Sequence, residues 1–245
     1  MSNKSVKDYY VKNKSKLMKR FGYSLKIAKD LLMERFDESK SEDLITQMRK
    51  EYEDILTKMT DIGGKRNLFI SIITDKVSLL AMLFILEKEG YTYREIGEFA
   101  IKFTEIETKN AMERAENKGI NLLDLYFDDV FLNSARTHCN DTLKRKYPDN
   151  WVMEFVDGIN EDFDYGLNVS ECAIHKTYKR FGAEKYAPFA CLIDFAQGNV
   201  LGFGLTRTKS LANGALGCDH RYIKTGNTPK AWPPETFPEY TGKFE

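Results

Sequence analysis

The chain changes its hydrophobic rhythm once, at Pro148-Asp149-Asn150, and that switch limits the folds open to it. Before it, apolar residues recur at helical intervals: Leu17, Phe21, Leu25, Leu31, Leu32 and Phe36, then Leu44, Met48, Tyr52 and Ile55. Gly63-Gly64 interrupts the pattern, and Asn67 or a neighbour stands where it can cap a next helix over 68–88, ending near Gly90. Thr92 and Glu95 have capping-box spacing for a further helix that Gly119 stops. An amphipathic segment over 122–145 then reaches the break. After it, runs at 151–156 and 163–169 read as strands around the turn residues 157–160. Ser170 is placed to cap a helix over 171–181 closed by Gly182, and Pro188 to open a second that ends by Gly198. Strands over 200–208 and 215–223 follow.

These readings add up to an α+β fold: an all-helical N-terminal half (1–145) packed on a small antiparallel β-sheet with two consecutive helices (146–228). A tail over 229–245 holds four of the six prolines with Trp232, Phe237, Tyr240 and Phe244, and is expected to wrap the surface. A pocket is expected between the two halves, since clefts between packed units commonly house ligands.

Charge excludes some partners. Lys plus Arg and Asp plus Glu each total 37 in 245 residues, so no long-range field argues for nucleic acid. The basic run Lys4, Lys7, Lys12, Lys14, Lys16, Lys19 and Arg20 reads as a solvated helix face or a frayed terminus. The most apolar stretch, 69–86, is interrupted by Asp75 and Lys76. What remains uninterrupted, 77–86, is about half of what a bilayer needs, so it is a buried helix and no membrane role is expected. The basic start leads into no apolar stretch and small-residue cleavage site, so the cytoplasm is the expected compartment. There the four cysteines are thiols or metal ligands before they are disulfides.

Between residues 168 and 222 lie three of the four cysteines and two of the three histidines. Cys172, expected in the first turn of a helix, would gain from the dipole that stabilises a thiolate, with His175 three residues on. The alternative is a buried small hydrophobe. Cys191 and Asp194 share a helix face in an apolar run, where a carboxylate must find a partner or shift its pKa upward. Asp194 is thus the leading functional candidate, the alternative being a structural ion pair with Arg207. Arg207 follows a segment carrying Gly202 and Gly204, and a guanidinium there suits a two-point grip on a carboxylate. The loop with Thr208 down to Asn213-Gly214 would shape the pocket mouth or be a plain turn. Cys218 and His220 alternate onto one strand face and Asp219 onto the other. Cys172, Cys191 and Cys218 with Asp194 or His220 are a conceivable zinc set, although no paired-cysteine motif is present. His138-Cys139 stands apart and reads as structural. No phosphate loop, dinucleotide fingerprint or serine elbow occurs.

Residues 168–172, 184–188, Cys191 to Asp194, 207–214 and Cys218-Asp219 together resemble the L-2-amino-thiazoline-4-carboxylic acid hydrolase family, and residues 61–96 are similar to its helical half. His220 departs from the pattern, which has an aromatic or apolar residue there. The resemblance implies a hydrolase, acting on the C–N bonds of a cyclic amidine, that opens the ring at the carbon between sulfur and nitrogen. The product would be a carbamoyl amino acid. Under it, Asp194 binds the ring amidinium or directs water, and Cys172 or Cys191 is nucleophile or wall. Arg207, Thr208, Asn213 and Asp219 would hold the small-molecule substrate, with Cys218 in support. No cofactor is required, and the oligomeric state stays open, a homo-oligomer included. A looser similarity of the C-terminal half to 4-vinyl-reductase-type ligand-binding domains implies the rival: a small-molecule-binding or sensing module with a Cys/Asp metal site and no catalysis, for which Cys172, Cys191 and Cys218 with Asp194 or His220 are the candidate zinc ligands.

Overall fold

A computed structural model describes residues 8–245, so Lys4 and Lys7 of the basic run lie outside the described residues. The chain divides into two compact units, 1–103 and 104–245, with the boundary inside a helix. The first unit holds α1 (Asp8–Leu32), α2 (Glu38–Lys58), α3 (Ile70–Lys88) and the start of α4 (Tyr93–Glu116). Asp37 caps α2 by accepting from the Lys40 N–H at 2.8 Å. Asn67 ties the turn before α3: its Nδ2 donates to the Ile62 carbonyl at 2.6 Å, and its Oδ1 accepts from the Phe69 N–H at 2.9 Å. The capping box of α4 is formed in both directions, Thr92 N–H to Glu95 at 2.7 Å and Glu95 N–H to the Thr92 hydroxyl at 3.2 Å. α1 packs on α2 and α2 on α3. Ile73, Val77, Leu80, Met82, Leu83 and Leu86 of α3 are wholly buried, which is what an apolar helix without a polar stripe requires. No helix among the described residues is long and apolar enough to cross a membrane.

The second unit continues α4 and adds α5 (Leu122–Leu125), α6 (Asp129–Leu143), β1 (Val152–Asp157), β2 (Tyr165–Glu171), α7 (Ala173–Arg180), α8 (Ala187–Leu201), β3 (Gly204–Thr206) and β4 (Cys218–Ile223). The four strands form one antiparallel sheet in the order β1-β2-β4-β3. In the ladder Tyr165 faces Tyr222, Leu167 faces His220 and Val169 faces Cys218. Strand alternation therefore puts these on one side, and Glu154, Asn168, Asp219 and Arg221 on the other. The first side is aromatic: Tyr165 stacks on Tyr222 at 4.6 Å and on Phe155 at 5.7 Å, with the Phe127 ring edge-on at 5.6 Å.

Three boundaries differ from the expectations. β2 runs on through Glu171 because that residue pairs with Val152, so Ser170 lies in a strand and Cys172 takes the N-cap of α7. Its side chain makes no capping bond, and the Ser170 hydroxyl instead donates to the Val152 carbonyl at 3.2 Å. α8 continues to Leu201 and is closed by Gly202 in the left-handed region (φ +82°), which leaves only three residues for β3. β4 begins at Cys218, after a loop with one 3-10 turn over Leu211–Asn213.

The tail folds back onto this unit. The Thr228 hydroxyl accepts from the Leu205 N–H at 2.8 Å and donates to the Phe203 carbonyl at 2.5 Å. Phe237 packs on Phe195, with ring centroids 4.3 Å apart.

Candidate active site

Arg207 leaves the end of β3 and turns inward, with a side chain 1% exposed. Its guanidinium has five N–H donors. Nε and Nη2 form a fork on Glu239, the Nη2–Oε1 bond being 2.6 Å. Nη2 also reaches the Cys191 carbonyl at 3.0 Å. Nη1 donates to Asp194 Oδ2 at 3.1 Å and to His220 Nε2 at 2.9 Å. The plane lies over the Phe195 ring at 5.0 Å. Every donor is therefore used, and the expected grip of Arg207 on a ligand carboxylate is replaced by a grip on Glu239.

Because His220 Nε2 accepts from Arg207, its proton sits on Nδ1 and the ring is neutral. Burial, and then the Arg207 charge, push its pKa down to about 3, with Asp194 and Asp219 opposing. Burial likewise drives the Cys191 thiol well above its usual value, although Arg207 pulls the other way. Cys218 is pushed up to about 12 by burial, against the Leu211 N–H that reaches its Sγ at 3.3 Å. Both are neutral thiols at physiological pH, so neither is an activated nucleophile. Tyr222 is raised by burial and then by Asp194.

Yet Cys191, Asp194, His220 and Tyr222 all keep part of their surface open, as does Cys172 at the head of α7. Burial thus dominates the titration of Cys191, His220 and Tyr222 while each keeps some contact with solvent. Within the ionic network the exposure is graded: Glu239 is 0% open, Arg207 1%, His220 13% and Asp194 30%. Asp194 is the member that meets solvent. Tyr178, buried below, is close enough to Cys191 and Cys172 for each to affect its titration.

The remaining expected binders are tied into the loop by hydrogen bonds of their own. Asp219 accepts from the Thr208 N–H at 2.9 Å, the Thr208 hydroxyl at 2.6 Å and the Lys209 N–H at 3.0 Å. Burial works against its charge, but these bonds hold its pKa below the usual carboxylate value. Asn213 Nδ2 donates to the Ser210 hydroxyl at 3.0 Å. Among the described residues no three His, Cys, Asp or Glu side chains converge as a metal site would. The zinc set of Cys172, Cys191, Cys218 and His220 fits poorly for a chemical reason. His220 Nε2 is already spent on a guanidinium, whose charge would repel a cation. His138 and Cys139 belong to α6, apart from the cluster, where burial pushes the Cys139 thiol up to about 12.

Glu239 is the residue that sequence reasoning missed. It sits in an irregular proline-rich segment, where no periodicity marks a position as buried. Its only trace is an acid set between Pro238 and Tyr240.

One family model, described as L-2-amino-thiazoline-4-carboxylic acid hydrolase, matches residues 78–222, more than half of the chain. The match includes Cys172, Cys191, Asp194, Arg207 and Cys218 and stops before Glu239. No curated protein and no solved structure matched.

Proposed function

The chain belongs to the L-2-amino-thiazoline-4-carboxylic acid hydrolase family, and on that premise we propose that it opens 2-aminothiazoline-4-carboxylate or a related cyclic amidine by adding water at the amidine carbon. A carbamoyl-cysteine keeps both nitrogens on that carbon. The water oxygen must therefore bond to carbon while the C–S bond breaks, and the sulfur leaves as a thiol. For this substrate the expected cleavage of a C–N bond gives way to cleavage of a C–S bond.

The observation that carries the reading is the exposure gradient in the Arg207 network. It holds one carboxylate, Asp194, at the solvent-facing rim of an otherwise buried array. A carboxylate fixed by a guanidinium can orient the cationic amidine and accept the proton of the attacking water. His220, neutral beside it, is too weakly basic to serve as the base at neutral pH. Cys191 and Cys218 act as walls, and Cys172 is the remaining thiol able to attack. With Arg207 committed to Glu239, the substrate carboxylate is bound by other groups.

The test is turnover of L-2-aminothiazoline-4-carboxylate by the purified chain, followed by release of free thiol. Asp194→Asn should lower kcat by about a hundredfold or more while the fold is kept. Wild-type protein that releases no thiol from this or related thiazolines would defeat the reading. A fully active Asp194→Asn would remove Asp194 from it.

A further inference from the structure

The other side of the sheet carries chemistry that this reaction does not use. A cleft of about 480 Å3 opens there, lined by Glu154, Asn168, Lys209, Asp219 and Arg221 and reaching Cys218 at the start of β4. Arg221 lies flat across β2 over Gly166. A Cβ at that glycine would come within 2.8 Å of Arg221 Nη1 and 2.9 Å of its Cδ. Nη2 donates to Asn168 Oδ1 at 3.0 Å and Nη1 to the His220 carbonyl at 2.8 Å, while the Phe163 ring supports the plane at 5.0 Å. The guanidinium is thus fixed with two N–H groups used, and its other donors have no partner among the described residues.

Lys209 enters the same cleft, its backbone anchored on Asp219. Its ammonium makes no ion pair among the described residues. Asp219 is ionised and offsets part of this positive charge, but its oxygens are taken up by three hydrogen bonds from the loop. Glu154, directly across from Asn168 in the ladder, is an exposed carboxylate with no polar partner among the described residues. Arg221 is pinned by Asn168 and by the His220 carbonyl, so it does not swing over to pair with Glu154. One cleft therefore holds two cations with spare donors and, one strand away, an uncommitted carboxylate.

We propose that this outward cleft is a second ligand site, distinct from the Asp194–Arg207 network, for a small zwitterion of the amino-acid type. The ligand carboxylate sits on the Arg221 guanidinium, with Lys209 adding charge, and the ligand amine is received by Glu154. A rigid guanidinium presenting free N–H groups binds a carboxylate with little ordering cost.

Calorimetric titration of the full chain tests this, with L-alanine as the zwitterion and acetate and methylammonium as its two halves. L-Alanine should bind saturably and more tightly than either half. Arg221→Ala should weaken it by about tenfold or more. Glu154→Lys, a change at an exposed position, should reverse the preference so that acetate binds better than L-alanine. Asp194→Asn should leave L-alanine binding intact. No saturable binding, or binding indifferent to both cleft variants, would overturn the site. So would competitive inhibition of ring opening by L-alanine, because the cleft would then be the substrate site. If the chain opens no thiazoline at all, the titrations still read out this proposal by themselves.

Discussion

At the scale of single residues, Arg207 decides how the buried polar groups behave. It neutralises Glu239, orients Asp194 and fixes the tautomer of His220, all through bonds from one planar group. His220 then gives the fold an acid sensitivity whose direction follows from linkage. Its ordinary pKa is 6.5 and its folded value is about 3, so the unfolded chain takes up a proton in a pH range where the native ring refuses it. Stability is therefore full above about pH 6.5 and falls as pH drops toward 3. At 1.36 kcal/mol per pKa unit, the loss is on the order of a few kcal/mol at the acid end. His220→Gln keeps an acceptor for Arg207 and cannot titrate in this range. Thermal melts between pH 4 and 7 should show a shallower acid decline for this variant than for the wild type. Parallel declines would mean that other groups set the acid limit.

At the scale of elements, the sheet tolerates an arginine across its face because the strand beneath it carries a glycine. Gly166→Ala would place a methyl 2.8 Å from the backbone carbonyl of His220 as well as against Arg221. Overpacking of this kind costs about 1–3 kcal/mol. Urea denaturation should register that loss, and an unchanged midpoint would show that the strand can shift to make room. Elements defined by short-range chemistry were readable from the chain. The Thr92–Glu95 box, the Pro188 helix start and the apolar α3 each depend on residues a few positions apart. The limits of β2, β3 and β4 were not, because distant partners set them: Val152 draws Glu171 into the ladder, and Gly202 lets α8 consume residues that read as strand. The candidate site divides the same way. Asp194 with Arg207 was visible as a carboxylate and a cation in apolar surroundings, one of the two readings left open. Saturation of Arg207 was not, because its main partner lies thirty-two residues further along the chain.

At the scale of the molecule, the tail completes the second unit instead of decorating it. Phe237 covers Phe195, Thr228 satisfies the Leu205 N–H and the Phe203 carbonyl, and Glu239 is the buried counter-charge of Arg207. The family match ends at residue 222, so this counter-charge comes from outside the matched span. Two changes separate its packing role from its charge role. Glu239→Gln keeps the shape and removes the charge, leaving a buried guanidinium short of its partner, and should cost about 3–5 kcal/mol. Truncation before Thr228 removes the aromatic cover and the Thr228 bonds too, so it should destabilise the second unit further still. Urea denaturation of the wild type and both variants measures the difference, with tyrosine and tryptophan fluorescence as the probe. A truncated chain that unfolds at the wild-type midpoint would show that Arg207 finds compensation elsewhere. Glu239→Gln as damaging as truncation would place nearly the whole contribution of the tail in one carboxylate. The gap between the two variants therefore measures how much of the second unit's stability comes from aromatic packing and how much from charge.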